Sequence, residues 1–145
     1  MDFIASSEEE TKDFARKLAR RVNSPALICL HGDLGAGKSV FARAFIRELL
    51  GDECAEVPSP TFTLLQSYDS PKGPLWHFDL YRIADPSEIY ELGWEEAMAS
   101  GIAVLEWPSK AGNLLPEERI NVTIAPLSGE QNARRITIEG LKDHE

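Results

Sequence analysis

Between the apolar run Ala26-Leu27-Ile28-Cys29-Leu30 and the stretch from Ser39 to Leu50 stands Gly32-Asp33-Leu34-Gly35-Ala36-Gly37-Lys38-Ser39. Nothing else in the chain constrains its fold as much. A continuous apolar run of this length suits a strand covered on both faces. The stretch after the octet is predicted to be a helix, stopped by Gly51 in the C′ position. A strand, a glycine-rich turn and a helix in this order make a phosphate cradle. The glycines let the backbone wrap closely and turn N–H groups toward a β-phosphate, and the helix N-terminus adds partial positive charge. The octet matches G-x-x-x-x-G-K-[ST] in full, the P-loop pattern. Lys38 can then span β- and γ-phosphates, and the Ser39 hydroxyl is placed to ligate magnesium. A glycine-rich turn with an exposed lysine is the plain alternative, and the flanking elements argue against it.

The rest of the chain reads as elements around that unit. Ser7-Glu8-Glu9-Glu10 has the form of a capping box, and Phe14, Ala15, Leu18, Ala19 and Val22 recur at helical spacing after it. Thr61 to Tyr68 and Leu75 to Leu80 are predicted strands of a hairpin, joined by a turn over Asp69 to Pro74. Asp85-Pro86 opens a helical stretch that runs to Ser100 with a break near Gly93. Ile102-Ala103-Val104-Leu105 is a second fully apolar strand, ending at Glu106-Trp107-Pro108. Arg119 to Ile124 and Arg134 to Glu139 alternate, as antiparallel strands with one wet face do. The expected fold is therefore α/β: a P-loop NTPase-like three-layer domain with a mixed parallel and antiparallel sheet, one domain over residues 1–145.

Composition excludes several functions. A net charge of −9, from 15 basic and 24 acidic residues, repels phosphate backbones and argues against autonomous nucleic-acid binding. If the protein works on RNA, a more basic partner holds the RNA. Only Cys29 and Cys54 are present, which suggests neither a disulfide framework nor a zinc site and fits a reducing cytoplasm. No apolar stretch approaches a membrane span, and no secretory signal opens the chain, so a cytoplasmic location without a membrane partner is expected.

A P-loop cation needs an acidic anchor, usually at the end of a neighbouring apolar strand. Glu106 ends one such run, and Asp79 sits in Leu75-Trp76-His77-Phe78-Asp79. Either carboxylate is equally readable as a cap or a surface group. Glu106 is favoured as the closer ligand and Asp79 as a water-mediated one. Ser59-Pro60-Thr61 occupies the position where nucleotide switches place a threonine that senses the γ-phosphate; a proline turn feeding a strand reads equally well. His77 lies on the face opposite Trp76 and Phe78, and reads as a structural histidine before a proton shuttle. Tyr81 and Arg82 follow that strand, and Arg82 has local carboxylates or a partner protein open to it. Trp107 suits the core or a place beside the site.

Taken together, the octet, Pro58-Ser59-Pro60-Thr61-Phe62-Thr63-Leu64, His77-Phe78-Asp79-Leu80-Tyr81-Arg82 and Leu105-Glu106-Trp107 resemble the TsaE family. This is the bacterial ATPase family required for threonylcarbamoyladenosine formation in tRNA. The resemblance spans nearly the whole chain. It implies ATP and Mg2+ as ligands and TsaB and TsaD as protein partners, with tRNA reached only through the complex. In that family TsaD transfers the threonylcarbamoyl group, and ATP hydrolysis resets the machine between turnovers. Carried over, the resemblance implies nucleotide binding by Gly32, Asp33, Leu34, Gly35, Ala36, Gly37, Lys38, Ser39, Thr61 and Trp107. It implies metal binding by Ser39, Asp79 and Glu106, and a catalytic part for Lys38, Asp79 and Glu106. Ser39 stands where threonine is common, and either hydroxyl can ligate magnesium.

Three rival readings carry less. A small-molecule kinase closes an arginine-bearing lid over the transferred phosphate; the adjacent arginine pairs here, Arg20-Arg21 and Arg134-Arg135, lie in the first helix and last strand. A GTPase needs Asn/Thr-Lys-x-Asp, whereas Thr11-Lys12-Asp13-Phe14 has its aspartate one place early and precedes the P-loop. A nucleotide-ordered interaction module merges partly with the family reading. No glutamine or arginine stands out as the hydrolytic catalyst, so slow turnover in isolation is expected.

Overall fold

The apolar runs become the inner strands of a seven-stranded sheet, ordered β1-β7-β6-β2-β5-β4-β3, in a computed structural model that describes residues 1–33, 35–129 and 131–141. These strands are β1 (Asp2–Ala5), β2 (Ala26–His31), β3 (Leu65–Ser70), β4 (Gly73–Asp79), β5 (Ile102–Glu106), β6 (Ile120–Pro126) and β7 (Arg134–Glu139). Strand β2 pairs in parallel with β5 and β6, and β5 in parallel with β4. Antiparallel strands finish both sides, β3 on β4 and β7 then β1 on β6. The sheet is mixed, as expected.

Helices α1 (Glu8–Arg21) and α2 (Lys38–Leu50) cover one face, over Ile28, Leu30, Val104, Val122 and Ile136. The other face carries 3-10 turns at Pro86–Leu92 and Pro108–Leu114 and the short α3 (Trp94–Ala99), over Cys29, Phe78, Ala103 and Leu105. All five residues of β5 are buried, which is why that strand shows no alternation. In β6 Ile120, Val122 and Ile124 are buried, and in β7 Ile136 and Ile138, an alternation that follows from the C-terminal hairpin being covered on one side only.

Helix α1 starts where the cap predicts: Ser7 Oγ accepts from the Glu10 N–H at 3.2 Å, while Glu10 Oε1 reaches back to the Ser6 N–H at 2.7 Å. At the far end of α2, Gly51 in left-handed conformation donates to Arg47 and Glu48 carbonyls. The two helices are tied by Arg20 Nε to Glu48 Oε2 at 2.9 Å. Gly93, at φ 87°, makes the expected break between the 3-10 turn and α3.

Three readings of the sequence shift. The strand expected from Thr61 begins only at Leu65, because the Leu64 N–H folds back onto the Pro60 carbonyl at 2.6 Å and Leu64 adopts φ 70°. The hairpin turn shrinks to Pro71-Lys72, since the ladder continues to Ser70 opposite Gly73. Strand β1 has no counterpart in the sequence reading; four residues at an edge, with Phe3 opposite Ile136, offer too little pattern. Among the described residues no helix is long and apolar enough to cross a membrane.

Candidate functional site

Strand β2 delivers the chain to the cradle at the C-terminal end of the parallel strands, the edge where open α/β sheets bind ligands. Gly32 is required there: a Cβ would stand 2.7 Å from the Ile124 carbonyl oxygen, a backbone atom that cannot yield. Gly37, at φ 109°, then caps α2 in the left-handed region. Between them the Ala36 N–H closes on the Asp33 carbonyl at 3.0 Å. Leu34 lies outside the described residues.

Lys38, the first residue of α2, turns into a cavity of about 390 Å³ that also exposes Ser39, Ser59, Thr61, Asp79, Glu106, Trp107 and Arg134. The lysine is only 5% exposed, and among the described residues its Nζ has no hydrogen-bond partner. It rests instead over the Trp107 ring, 3.4 Å from the centroid. Burial pushes the ammonium pKa down, opposed by the negative charges of Glu106, Asp79 and Asp33. A cation held this way, with no anion bonded to it, fits a ligand that brings oxyanions.

The carboxylates face it from adjacent parallel strands. Asp79 at the end of β4 is the register partner of Glu106 at the end of β5, and both are nearly fully buried. Asp79 Oδ2 accepts from Thr61 Oγ1 at 3.2 Å, and Oδ1 from the Tyr81 N–H at 2.9 Å. The Thr61 hydroxyl is also 2.7 Å from Ser59 Oγ. The Pro58–Leu64 segment is thereby anchored to the acidic pair, so its threonine belongs to the same cavity. His77 Nε2 lies 2.7 Å from Glu106 Oε2, and His77 Nδ1 is buried without a partner. The histidine thus lies opposite Trp76 and Phe78 as expected, and its ring orients Glu106.

Two carboxylates and the Ser39 hydroxyl supply hard oxygen donors, which suit Mg2+ completed by phosphate oxygens and water. Among the described residues no group of three His, Cys, Asp or Glu side chains is placed to hold a metal without a ligand's help. Cysteine chemistry is remote: both thiols are free, and burial pushes Cys29 up to about 12. A wider groove of about 660 Å³ beside Trp94, Met98 and Leu114 has Glu95 as its one charged lining residue, so it offers nothing to a phosphate.

Trp107 takes the left-handed conformation, φ 60°, directly after β5. This turns its ring back beneath Lys38 and against Tyr81, centroids 4.9 Å apart. Arg82 stacks on the exposed Phe62 ring, 4.4 Å away. Of the sequence candidates, Lys38, Ser39, Thr61, Asp79, Glu106 and Trp107 line one cavity with Gly35 and Gly37. Sequence reasoning missed Arg134, counted there only as half of a basic pair in the last strand. It lies in β7, two strands from β2 in the sheet and 98 residues from Ala36 in the chain, so no local pattern signalled a contact with the cradle.

Comparison with known proteins extends the likeness beyond the cradle. The model of the family described as threonylcarbamoyl adenosine biosynthesis protein TsaE matches residues 5–136. The tRNA threonylcarbamoyladenosine biosynthesis protein TsaE of Rickettsia bellii is 41% identical over 136 residues, 94% of each chain. Its Bacillus subtilis namesake is 35% identical over 133 residues, 91% of this chain and 82% of that one. The crystal structure of Bacillus subtilis YdiB superimposes with a TM-score of 0.75 at 27% identity, covering 99% of this chain and 87% of that one. Since the match runs from β1 into β7 rather than over the phosphate cradle alone, the chain belongs to the TsaE family.

Proposed function

We propose that this protein binds ATP with Mg2+ and hydrolyses it as a component of tRNA threonylcarbamoyladenosine modification in the cytoplasm, acting with TsaB and TsaD. The observation that carries the reading is the buried Lys38 ammonium, free of hydrogen bonds, facing Asp79 and Glu106 in one cavity. In the proposed complex Lys38 leaves the Trp107 face and bonds the β- and γ-phosphates, while backbone N–H groups of Gly35, Gly37 and Lys38 hold the β-phosphate. Ser39, Glu106 and Asp79 would hold the cation, whose charge would offset that developing on the phosphates. Thr61, tied to Asp79, is the residue through which the Pro58–Leu64 segment registers the γ-phosphate.

The reset role follows from that coupling. A segment bonded to Asp79, and carrying an aromatic ring (Phe62) that is 79% exposed, presents different surfaces before and after hydrolysis. The test is threonylcarbamoyladenosine formation on tRNA by purified TsaB and TsaD under multiple-turnover conditions. Wild-type protein is expected to sustain repeated rounds, and the Lys38→Ala variant to support no more than one. Equal numbers of rounds with both would refute the proposed role of hydrolysis.

A further inference from the structure

Arg134, the first residue of β7, comes from the C-terminal hairpin yet lines the cavity and bonds carbonyls of the phosphate cradle. Its Nε donates to the Ala36 carbonyl at 2.6 Å and its Nη2 to the Gly35 carbonyl at 3.5 Å, while Nη1 donates to the Ala133 carbonyl at 2.9 Å. In a trans peptide the C=O and N–H point in opposite directions. The Ala36 carbonyl and the Gly37 N–H share one peptide plane, so whatever fixes that carbonyl also aims that N–H. Glycines stand on both sides of Ala36, at φ 80° and 109°, and glycine puts little resistance in the way of a peptide rotation. Among the described residues, the hydrogen bond that holds this plane comes from Arg134.

We propose that Arg134 is a positioning residue of the nucleotide site: its Nε–H pins the Ala36 carbonyl outward and so keeps the Gly37 N–H turned toward the bound phosphate. This inference rests on the ATP reading above and adds a residue from outside the strand–loop–helix unit. It makes the C-terminal hairpin a part of the cradle, and it acts through orientation rather than through the guanidinium charge.

Side-chain length separates those two roles. In Arg134→Gln the amide nitrogen falls at the chain position of Nε and can donate to Ala36 without a charge. Arg134→Met has the same length and no donor. Arg134→Lys keeps the charge but sets its nitrogen one atom further out. The experiment is calorimetric titration of each full-length variant with ADP and Mg2+, beside the melting temperature without ligand.

Loss of a charge-assisted bond of this kind is expected to raise the ADP Kd of Arg134→Met about tenfold, with Arg134→Gln within about threefold of wild type and Arg134→Lys close to the Met variant. In turnover assays the change falls on KM for ATP rather than on kcat. An unaltered Kd in Arg134→Met would overturn the proposal and leave Arg134 a stitch between elements. Retention by Lys with loss in Gln would overturn it in favour of charge. Should Arg134→Met fail to fold, the Gln and Lys variants decide by the same rule. Wild-type protein without affinity for ADP would overturn the ATP reading and this inference together, whereas wild-type binding with an indifferent Met variant overturns this inference alone.

Discussion

Replacing Lys38 with alanine is expected to weaken Mg-ATP binding by about two orders of magnitude, the upper range for hydrogen bonds to a charged group in a desolvated site. Three observations set the size of the effect. The ammonium is 5% exposed and without a hydrogen-bond partner. Its pKa is pushed down chiefly by burial, so the charged form gains most from a phosphate that replaces the lost water. The ammonium rests on the Trp107 ring, 3.4 Å from the centroid, a weaker partner for a cation than an oxyanion. Stability without ligand should fall as well. The buried carboxylates Asp79 and Glu106 lose the cation that faces them, and that loss outweighs the relief of burying one ammonium, so Lys38→Ala is expected to melt below wild type. Titration calorimetry and thermal melting check the pair of outcomes, and unchanged affinity would mean that the phosphates sit elsewhere.

Glu106→Gln is expected to lower kcat for ATP hydrolysis by a factor of about 10² to 10³ with a much smaller change in ATP affinity. The substitution keeps the side chain's volume and its reach to His77, 2.7 Å away, and removes the negative charge beside the cation site. Binding survives because the cradle and Lys38 hold the phosphates. Turnover falls if Glu106 holds the cation as proposed, because an anionic ligand would be lost where charge develops in the transition state. Single-turnover phosphate release against a separately measured Kd tells the two apart. Loss of binding with kcat intact would assign Glu106 to the ground state and leave Asp79 as the carboxylate that matters for the chemistry.

The sequence was legible where local chemistry dictates geometry. The octet from Gly32 to Ser39 named its own turn, because a position such as Gly32, with the Ile124 carbonyl 2.7 Å from where a Cβ would stand, admits glycine alone. Apolar runs without alternation marked β2 and β5 as inner strands, and both are flanked on each side in the sheet. Asp79 and Glu106 were readable as strand-end carboxylates. That they are register partners was not, since parallel strands far apart in sequence meet through packing.

What sequence could not supply was set by tertiary contact. Thr61 to Leu64 carry strand formers, yet the Pro60 carbonyl captures the Leu64 N–H and the segment turns toward Asp79 instead. His77 alternates like any half-buried strand residue, and its bond to Glu106 exists only because β4 lies beside β5. Arg134 is the plainest case. Nothing near it in sequence predicts a grip on the Ala36 carbonyl 98 residues away.

The most direct test of the whole account is phosphate release from ATP by the purified protein, with and without Mg2+ and with and without the TsaB–TsaD pair. The account predicts slow release that requires Mg2+ and changes markedly when the pair is added. Release without Mg2+, or at a rate indifferent to the pair, would contradict it, as would transfer of the phosphate to a small acceptor in place of water.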